Sequence, residues 1–512
     1  MKKVQLPVSK SLYIRKLIYD FLYNDCIGSI PADAPEDVRV VHRCLTSVSK
    51  ASFCNDESAV PLRIDVRDCG AAYRFLLAVL AVTPGQWLLT GTPRLLQRPI
   101  EELVQVLREM GAEIQWCSCR DAINRVSNGG GVYPCIDIRP CVSSDNSESS
   151  GRDAINRVST NENGGCWFIH GKPLHADELT IDCTRSGQFA SALWLISKKI
   201  GLRKLHVLPE NPSSAAYIAM TEAIMKGKAD LDAKLLGDWS AAVYWYARLL
   251  LEGQRCGVQS SHSSSDTASC DAPASYKLLH LDLQSLQSDA IIAQWFSHWG
   301  VVSRQEEDGV VIEFKKIAGY QKDTITSGCE NDFQNEESKL DKAESQGDVI
   351  ELDMSQNLDL VPVLACMACL WPKKMIFNGV ANLKYKESNR LQIIQEQLSS
   401  FAIIEIKSYN GIPDNQLVIN PIYCEDMPCR VYTNNEAIPH RDAMNCVSTN
   451  DDRSNISPRI FSFNAHNDHR FVMGFSLFAL RGKVQIKDFD CVRKSYPNFK
   501  AEGVVAGADM LG

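Results

Sequence analysis

The sequence lacks an apolar run long enough to cross a membrane. No stretch of about 18 uninterrupted apolar residues occurs in its 512 residues. The first residues read MKKVQLPVSKSLYIRK, and they also lack the apolar segment of a signal peptide. We therefore expect no membrane span and a cytoplasmic location.

A long block of basic residues is absent as well. Lys and Arg number 54 against 62 Asp and Glu, which gives a formal net charge of −8. Nonspecific nucleic-acid binding and adhesion to anionic membranes both need clustered positive charge. We expect neither a nucleic-acid nor a membrane partner, although a net charge says nothing about a local site.

Cysteine is plentiful, with 19 residues, but metal-binding spacing is missing. Cys366-x-x-Cys369 is a lone pair within an apolar run, without a second pair at zinc-finger spacing. Packing as small buried side chains is the favoured interpretation, and a metal or redox site is the alternative. We expect no bound metal.

Hydrophobic periodicity is missing from four segments that are rich in Ser, Asn, Asp and Gly. Such segments cannot bury enough apolar area to offset the entropy of ordering, so we predict surface insertions. The octapeptide RDAINRVS occurs at 120–127 and again at 152–159. We interpret it as duplicated insert sequence, with a recognition motif as the alternative. The predicted insertions span residues 117–165, 254–275, 317–347 and 425–459.

The rest of the chain alternates between helical and strand-like apolar patterns. Residues 103–116, 291–305 and 391–407 each combine apolar residues at helical spacing with a following β-branched run. Repeats of this kind predict duplicated αβ modules. At about 150 residues per domain, the length is compatible with three domains or with two large ones.

Several predicted helices begin with small or polar residues, some of them with a basic residue nearby. Free N–H groups and the positive end of the helix dipole make such starts suitable for binding anions. A Ser there is also a common N-cap, which is the alternative for each start alone. Together they indicate a shared anionic ligand. The starts are Ser9-Lys10-Ser11 with Arg15, Asp68-Cys69-Gly70 with Arg74, Ser186-Gly187-Gln188, and Pro212-Ser213-Ser214 with Tyr217.

Charged residues are concentrated at one place in the C-terminal half. Lys386, Glu387 and Arg390 follow Asn382 at the start of a helical pattern. Their spacing predicts that they share one helix face, and an ordinary solvated ion pair is the alternative. Two further predicted helix starts are Asn467-Asp468-His469-Arg470 and Asp359 ahead of Pro362.

A series of motifs runs along nearly the whole chain outside the polar segments. In order they read VSKSLYIR, CGAAYRFL, PRLLQRPIEELVQVLREMGAEI, SGQF, SSAAYIAMT, GDWSAAVYW, NLKYKESNRL, NDHR and CVRKSYPNF. In this combination the chain resembles the 5-enolpyruvylshikimate-3-phosphate synthase (EPSP synthase) family.

The resemblance implies an α/β fold of two similar domains that close over a cleft, each with three βαβαββ modules in an inside-out, barrel-like arrangement. It places one domain at residues 12–236 and the other at 1–11 with 237–512. The implied activity transfers the enolpyruvyl group of phosphoenolpyruvate to the 5-hydroxyl of shikimate 3-phosphate, on the pathway to chorismate and aromatic amino acids. It implies no metal or organic cofactor, and a monomer whose partners are these small-molecule substrates.

The resemblance also assigns roles to residues. Asp359 would be the base on the 5-hydroxyl, and Glu387 the acid for the enol methylene if burial raises the pKa of Glu387. Lys10 is the alternative proton donor, and His469 belongs to the same catalytic set. Shikimate 3-phosphate would bind to Ser11, Arg15, Ser186, Gln188, Ser214, Tyr217, Asn382 and Lys386. Phosphoenolpyruvate would bind to Lys10, Gly70, Arg98, Gln188, Arg390, Arg470 and Lys494.

Several positions depart from the pattern of that family, and one of them is Asn389 in place of a usual Asp. Asp68 stands where the family usually has Asn, Ala71 where it has Thr, and Gly187 where it has a second Ser. These changes predict weaker anion binding and keep open a shikimate-phosphate-binding homologue with impaired catalysis. A UDP-N-acetylglucosamine enolpyruvyl transferase is less favoured, because this chain has Lys10-Ser11 instead of Lys-Asn and PRLLQRPI instead of a loop with a Cys.

Overall fold

A computed structural model describes most of the chain. The described residues are 1–52, 61–118, 165–209, 215–228, 236–259, 275–315, 349–422 and 460–502. Ser214, both copies of RDAINRVS and most of the predicted insertions lie outside them. Two of the predicted insertions were drawn too wide, because residues 117–118, 165 and 275 are strand and residues 254–259 are helix.

The strands of the described residues are mostly four to eight residues long. They are Lys2–Gln5 (β1), Leu62–Asp65 (β2), Gly85–Thr90 (β3), Glu113–Ser118 (β4), Gly165–Gly171 (β5), Glu178–Asp182 (β6), Lys204–Leu208 (β7), Ser275–Leu279 (β8), Val301–Glu306 (β9), Gly309–Phe314 (β10), Val349–Asp353 (β11), Lys374–Asn378 (β12), Ala402–Tyr409 (β13), Ile412–Pro421 (β14), Ile460–Asn464 (β15) and Lys483–Lys487 (β16).

Helices alternate with these strands. They are Lys10–Tyr23 (α1), Glu36–Ser52 (α2), Gly70–Val82 (α3), Pro93–Leu96 (α4), Glu101–Glu109 (α5), Gln188–Ile200 (α6), Ala215–Met225 (α7), Trp239–Gln259 (α8), Ile292–His298 (α9), Val361–Leu370 (α10), Arg390–Leu398 (α11) and His469–Ser476 (α12). Short 3₁₀ helices cover Ser288–Ile291, Ala381–Tyr385, Leu477–Leu480 and Phe489–Lys494.

Three four-stranded sheets share one pattern of pairing. Their strand orders are β2-β3-β5-β4, β11-β12-β14-β13 and β1-β8-β10-β9. In each, the first two strands are parallel and the other two pairs are antiparallel. Parallel strands need a crossover, which helices supply, whereas antiparallel neighbours can be joined directly. Two further sheets, β6-β7 and β15-β16, contain one parallel pair each.

The order of elements within the four-stranded sheets is βαβαββ. One unit runs β2, α3, β3, α5, β4, β5, and a second runs β11, α10, β12, α11, β13, β14. The third unit takes its first strand from the start of the chain, because β1 pairs with β8 in its sheet. Along the chain, β8 is followed by α9, β9 and β10. The described residues thus form a mixed α/β fold of open sheets with repeated units, as the sequence predicts.

The three predicted helix-to-strand transitions are confirmed. Helix α5 leads into β4, α9 into β9, and α11 into β13. The turns after α5 and α9 contain Gly111 and Gly300, with φ of +93° and +95°. Glycine has no Cβ to clash at such angles, so it ends a helix and redirects the chain at low cost.

Two large hydrophobic clusters divide the described chain. One contains residues from Ile14 to Met225, and the other contains Val4, Leu6 and residues from Trp239 to Phe499. We call them the first and second core. The predicted domain bounds near residues 11 and 237 stay a prediction.

Helices α3 and α10 are apolar on all sides and lie inside these cores, where such helices are expected. Cys366 is fully buried on α10, and Cys369 packs against the same core, in agreement with the packing interpretation of this pair. None of the helices in the described part of the chain is long and apolar enough to cross a membrane.

Candidate active site

Local side-chain caps determine where several site helices begin. Ser9 Oγ accepts a hydrogen bond from Leu12 N at 3.4 Å, so α1 begins at Lys10. Cys69 Sγ accepts one from Ala72 N at 3.4 Å ahead of α3. These caps satisfy amide groups that a helix start leaves free. They place Lys10 and Gly70 as the first residues of their helices.

A small cleft brings together twelve of the predicted site residues. It has a volume of about 110 Å³ and is lined by residues from both cores. Three carboxylates line it as well: Asp37, Asp359 and Glu387. The predicted residues in the lining are Lys10, Ser11, Arg15, Gly70, Arg98, Ser186, Gln188, Tyr217, Asp359, Asn382, Lys386 and Glu387.

Four predicted residues lie behind this lining rather than in it: Arg390, His469, Arg470 and Lys494. Arg390 Nη1 lies 2.8 Å from Asp359 Oδ1, and Arg390 Nη2 lies 2.9 Å from Glu387 Oε2. Arg470 Nη2 lies 3.9 Å from Asp359 Oδ2. Asp359 and Glu387 are therefore paired with cations that lie behind the lining.

Asp468 is a buried carboxylate to which the sequence analysis gave a place at a helix start but no role in the site. Its Oδ2 accepts hydrogen bonds from Arg390 Nε and from Ser388 Oγ, both at 2.8 Å. It also caps α12 by accepting from Arg470 N at 3.1 Å. An acid directly before a His-Arg pair at a predicted helix start was the available signal.

The prediction that Lys386, Glu387 and Arg390 share one helix face is wrong. Helix α11 begins only at Arg390, after Asn389 accepts a hydrogen bond from Gln392 N. Lys386 and Arg390 instead converge on Asp359 Oδ1, at 3.3 and 2.8 Å. Tertiary contacts, not helical spacing, bring these charges together.

Both candidate catalytic carboxylates are ionised in this structure. Burial alone would raise the pKa of Asp359, but the charges of Lys386 and Arg390 lower it well below its usual value. Burial likewise opposes the charge of Glu387, but Arg390 and Arg98 lower its pKa well below the usual range. The condition that burial raises the pKa of Glu387 is not met in the absence of substrate.

Lys10 has a carboxylate partner that the sequence reading missed. Lys10 Nζ lies 3.1 Å from Oδ2 of Asp37, a buried residue in the first turn of α2. Burial disfavours the ammonium, but Asp37 and Glu387 outweigh it and raise the pKa of Lys10. Lys10 therefore remains charged at neutral pH. No sequence spacing links Asp37 to the site. Acidic residues such as Glu36 and Asp37 are common in the first turn of a helix, where they interact with its dipole.

Two buried arginines tie the helices of the first core together. Arg15 donates to Thr221 Oγ1 at 2.7 Å and to Ser11 O at 2.8 Å. Arg74 donates to Gln188 Oε1 at 2.9 Å and to Pro99 O at 2.8 Å. Burial lowers the pKa of Arg15 to about 10 and, with the charge of Arg98, that of Arg74 to about 9.

Gly70 allows a close approach of Arg98. A Cβ at position 70 would lie 2.4 Å from Arg98 Nη1, so the guanidinium of Arg98 would have to move away. Within the described residues, Arg98 Nε, Arg470 Nε and Arg470 Nη1 are buried without a hydrogen-bond partner. Buried donors of this kind are costly unless a ligand satisfies them. They are available to an anion.

His469 is held as a neutral imidazole. Burial, and then the charges of Arg470 and Lys10, lower its pKa well below the usual value. Neither ring nitrogen has a hydrogen-bond partner within the described residues. At neutral pH one ring nitrogen can donate a hydrogen bond and the other can accept one, but the ring is not a cationic acid.

Polar groups on the other side of the cleft bridge the two cores. Asn382 Nδ2 donates to Thr184 O at 3.3 Å, in the loop that leads to Ser186. Gln356 Oε1 accepts from Ala216 N at 2.8 Å, beside Tyr217. Both contacts lie among residues predicted to hold shikimate 3-phosphate.

Comparison with known proteins finds similarity to EPSP synthases. A model of the family described as EPSP synthase (3-phosphoshikimate 1-carboxyvinyltransferase) matches residues 36–134 and 446–502. A 3-phosphoshikimate 1-carboxyvinyltransferase of Bacteroides fragilis is 25% identical and covers 97% of this chain and 93% of its own. A 3-phosphoshikimate 1-carboxyvinyltransferase of Syntrophobacter fumaroxidans is 26% identical, and the match covers 84% of this chain and 76% of that protein.

The chain is thus similar to EPSP synthases over most of its length, at low sequence identity. A solved EPSP synthase structure from Acinetobacter baumannii aligns with a TM-score of 0.53, covering 99% of this chain and 95% of that one. At 15% sequence identity this likeness shows the fold alone. The fold described above is therefore shared with an EPSP synthase.

Proposed function

We propose that the protein transfers the enolpyruvyl group of phosphoenolpyruvate to the 5-hydroxyl of shikimate 3-phosphate and releases phosphate, a step towards chorismate and the aromatic amino acids. One observation carries the proposal: an acidic chain gathers cations from both cores around two half-buried carboxylates, Asp359 and Glu387, in one cleft. Both substrates carry a phosphate and a carboxylate. Similarity to EPSP synthases over most of the chain supports the same reaction.

Phosphoenolpyruvate would bind where buried cationic donors lack partners. Arg98 and Arg470 have such donors, and an Arg fork meets carboxylate or phosphate oxygens in pairs. Gly70 leaves room for Arg98, and Lys10 adds a nearby ammonium. Gln188, Arg390, Lys494 and His469 remain in the predicted set. Arg390 would contact substrate only after Asp359 or Glu387 releases it.

Shikimate 3-phosphate would lie across the two cores. Ser11, Arg15, Ser186, Gln188 and Tyr217 line the cleft from the first core, and Asn382 and Lys386 line it from the second. Ser214 remains a predicted contact outside the described residues. Because the cleft is only about 110 Å³, it must widen to admit both substrates.

Asp359 would accept the proton of the 5-hydroxyl of shikimate 3-phosphate while the hydroxyl oxygen attacks C2 of phosphoenolpyruvate. The methylene carbon takes up a proton from Glu387, or from Lys10, to give a tetrahedral adduct. Loss of a proton from that carbon and departure of phosphate then restore the double bond. Bound substrate anions would offset the charges of Arg98 and Arg390, and the pKa of Glu387 would rise towards the range of an acid.

The proposal involves no metal or organic cofactor. The partners would be the two small-molecule substrates, and the protein would work as a monomer in the cytoplasm. A non-catalytic shikimate-phosphate-binding homologue and a UDP-N-acetylglucosamine enolpyruvyl transferase are the alternatives.

Phosphate release tests the proposal directly. Purified full-length protein should release phosphate when both substrates are present, and not when UDP-N-acetylglucosamine replaces shikimate 3-phosphate. Asp359→Ala and Glu387→Gln should each lower kcat by about 100-fold or more, the usual effect of losing a general base or acid. Both variants should still bind shikimate 3-phosphate in calorimetry.

Glu405→Gln is the matched control, because Glu405 is an exposed carboxylate on β13 that pairs with Lys407 outside the cleft. It should keep full turnover. Binding of shikimate 3-phosphate without phosphate release would instead support the non-catalytic homologue. Near-full turnover of either cleft variant would show that its assigned role is wrong.

A further inference from the structure

An ion pair joins the two cores at the edge of the cleft. Lys494 Nζ lies 2.7 Å from Asp68 Oδ2 and 3.3 Å from Asp68 O. Asp68 precedes α3, a helix of the first core, whereas Lys494 ends the 3₁₀ helix Phe489–Lys494 of the second core. The two residues are 426 positions apart in the chain, so only the folded structure brings them together.

The two partners differ in their exposure. The side chain of Lys494 is 8% exposed, and that of Asp68 is 57% exposed. Burial disfavours the ammonium, but Asp37, Glu387 and Asp68 raise the pKa of Lys494 above its usual value. Lys494 is therefore a buried cation at neutral pH, and among the described residues Asp68 supplies its carboxylate hydrogen bond.

Lys494 lies close to two carboxylates of the cleft. These are Glu387 and Asp37, whose negative charges raise the pKa of Lys494 and which both line the cleft. Asp68 holds the ammonium from the solvent-exposed side, where its own carboxylate can return to water. A substrate anion can therefore replace Asp68 without leaving a buried, unpaired carboxylate behind.

We propose that Asp68 competes with phosphoenolpyruvate for the ammonium of Lys494 and so determines the affinity of the cleft for this substrate. The inference rests on the proposed function, in which Lys494 binds phosphoenolpyruvate. In the absence of substrate Asp68 occupies the cation and links the two cores. Binding of phosphoenolpyruvate then includes the free energy of breaking this pair.

Asp68→Asn removes the charge and keeps the size of the side chain. The KM for phosphoenolpyruvate should fall about fivefold, the size expected for one partly exposed ion pair. The KM for shikimate 3-phosphate should not change, because Asp68 contacts neither Asn382 nor Lys386. Asp68→Ser is a second uncharged variant. It shows whether an effect of Asp68→Asn comes from the lost charge or from new contacts of the amide.

Asp65→Asn is the matched control. Asp65 is exposed in the segment before α3 and accepts a hydrogen bond from Arg67 N at 2.8 Å. The variant loses the same charge close to the site without touching Lys494. It should leave the KM for phosphoenolpyruvate unchanged.

Two measurements on the full-length protein separate the possible results. Steady-state phosphate release gives the KM for phosphoenolpyruvate at saturating shikimate 3-phosphate, and calorimetry gives its Kd in the presence of shikimate 3-phosphate. The inference holds if both Asp68 variants lower KM and Kd and Asp65→Asn does not. It is overturned if the Asp68 variants match the parent protein, bind more weakly, or bind no phosphoenolpyruvate at all.

Failure of the proposed function gives a different pattern. If the parent protein shows no turnover but the Asp68 variants lower Kd, the reaction is wrong and the competition stands. If turnover is normal but Kd does not respond to Asp68, the reaction stands and the competition is wrong.

Discussion

Several cations at the cleft are paired with carboxylates. Arg390, fully buried, donates to Asp359, Glu387 and Asp468. A buried charge is tolerated only when it is paired, and removing one partner leaves the other unsatisfied. These residues therefore hold one another in place and keep the cleft intact in the absence of an anionic ligand.

Asp289 is a different kind of buried carboxylate, because it has no cationic hydrogen-bond partner in the described structure. It is 1% exposed, and it accepts hydrogen bonds from Ser240 Oγ and, at 3.0 Å, from Asn357 Nδ2. Burial, and then the nearby charge of Asp359, raise the pKa of Asp289 to about 6. In the unfolded chain the group would titrate near its usual value of about 4.

Asp289 should make the stability of the protein fall between about pH 4 and pH 6. The folded state retains this proton over that range and the unfolded state does not, so the raised pKa contributes stability at low pH that is lost as pH rises. Relative to Asp289→Asn, the free energy of unfolding of the parent protein should drop by roughly 2–3 kcal/mol from pH 4 to pH 7. Urea unfolding at these pH values measures the difference.

Asp414→Asn serves as the control for this comparison, because Asp414 is exposed on β14. It should follow the parent protein at every pH. If Asp289→Asn also followed the parent protein, the predicted proton uptake on folding would not occur.

At the scale of elements, local sequence patterns predicted the helices and strands well. The paired units α5–β4, α9–β9 and α11–β13 were readable because apolar spacing changes where a helix ends and a strand begins. The start of α11 was not readable. Residues 386–389 have helical spacing, but contacts with Asp359 and Asp468 hold them outside the helix.

Close packing of α12 on α10 is another feature of elements rather than of single residues. A Cβ at Gly474 would lie 2.8 Å from Cys366 Sγ and 2.9 Å from Pro362 O. Glycine therefore lets the two helices approach each other. Because α12 begins with His469 and Arg470, this contact also helps to position two predicted site residues.

Gly474→Ala should destabilise the protein by about 1–3 kcal/mol, the usual cost of forcing a methyl group into a packed interior. The free energy of unfolding in urea is the measurement. Gly28→Ala is the matched control, because Gly28 is exposed and a Cβ there meets nothing within 4 Å. Equal stability of both variants would contradict the close packing of these helices.

At the scale of the whole molecule, the largest predicted insertion joins two neighbouring strands. Ser118 at the end of β4 pairs with Gly165 at the start of β5. The ends of residues 119–164 are therefore adjacent across the sheet, and a two-residue turn can connect them. None of the predicted site residues falls in this interval.

Replacing residues 119–164 with Asn-Gly should leave kcat and both KM values within about twofold of the parent protein, because the flanking strands already define the hairpin. Phosphate-release kinetics measure the effect. A Gly/Ser segment of the original length is the control for chain length. Loss of activity with the short turn alone would indicate that length matters, whereas loss with both would show that the insert sequence contributes to function.

The sequence by itself determined the class of fold and the resemblance to EPSP synthases, and it supplied the candidate site residues. Periodicity and capping act over a few residues, so helices, strands and their order can be read locally, and the order of motifs carries the family resemblance. The same sequence suggested insertions, although their outer residues proved to belong to strands and a helix.

Only the tertiary structure decided which charges meet. Asp37 reaches Lys10, Asp468 reaches Arg390, and Asp68 reaches Lys494 across up to 426 residues of chain. It also decided protonation, because the pKa of Glu387 depends on the balance between burial and cations brought in from distant segments. Electrostatic interactions act through space with no fixed sequence period, so a net charge of −8 could not reveal a cleft lined with cations.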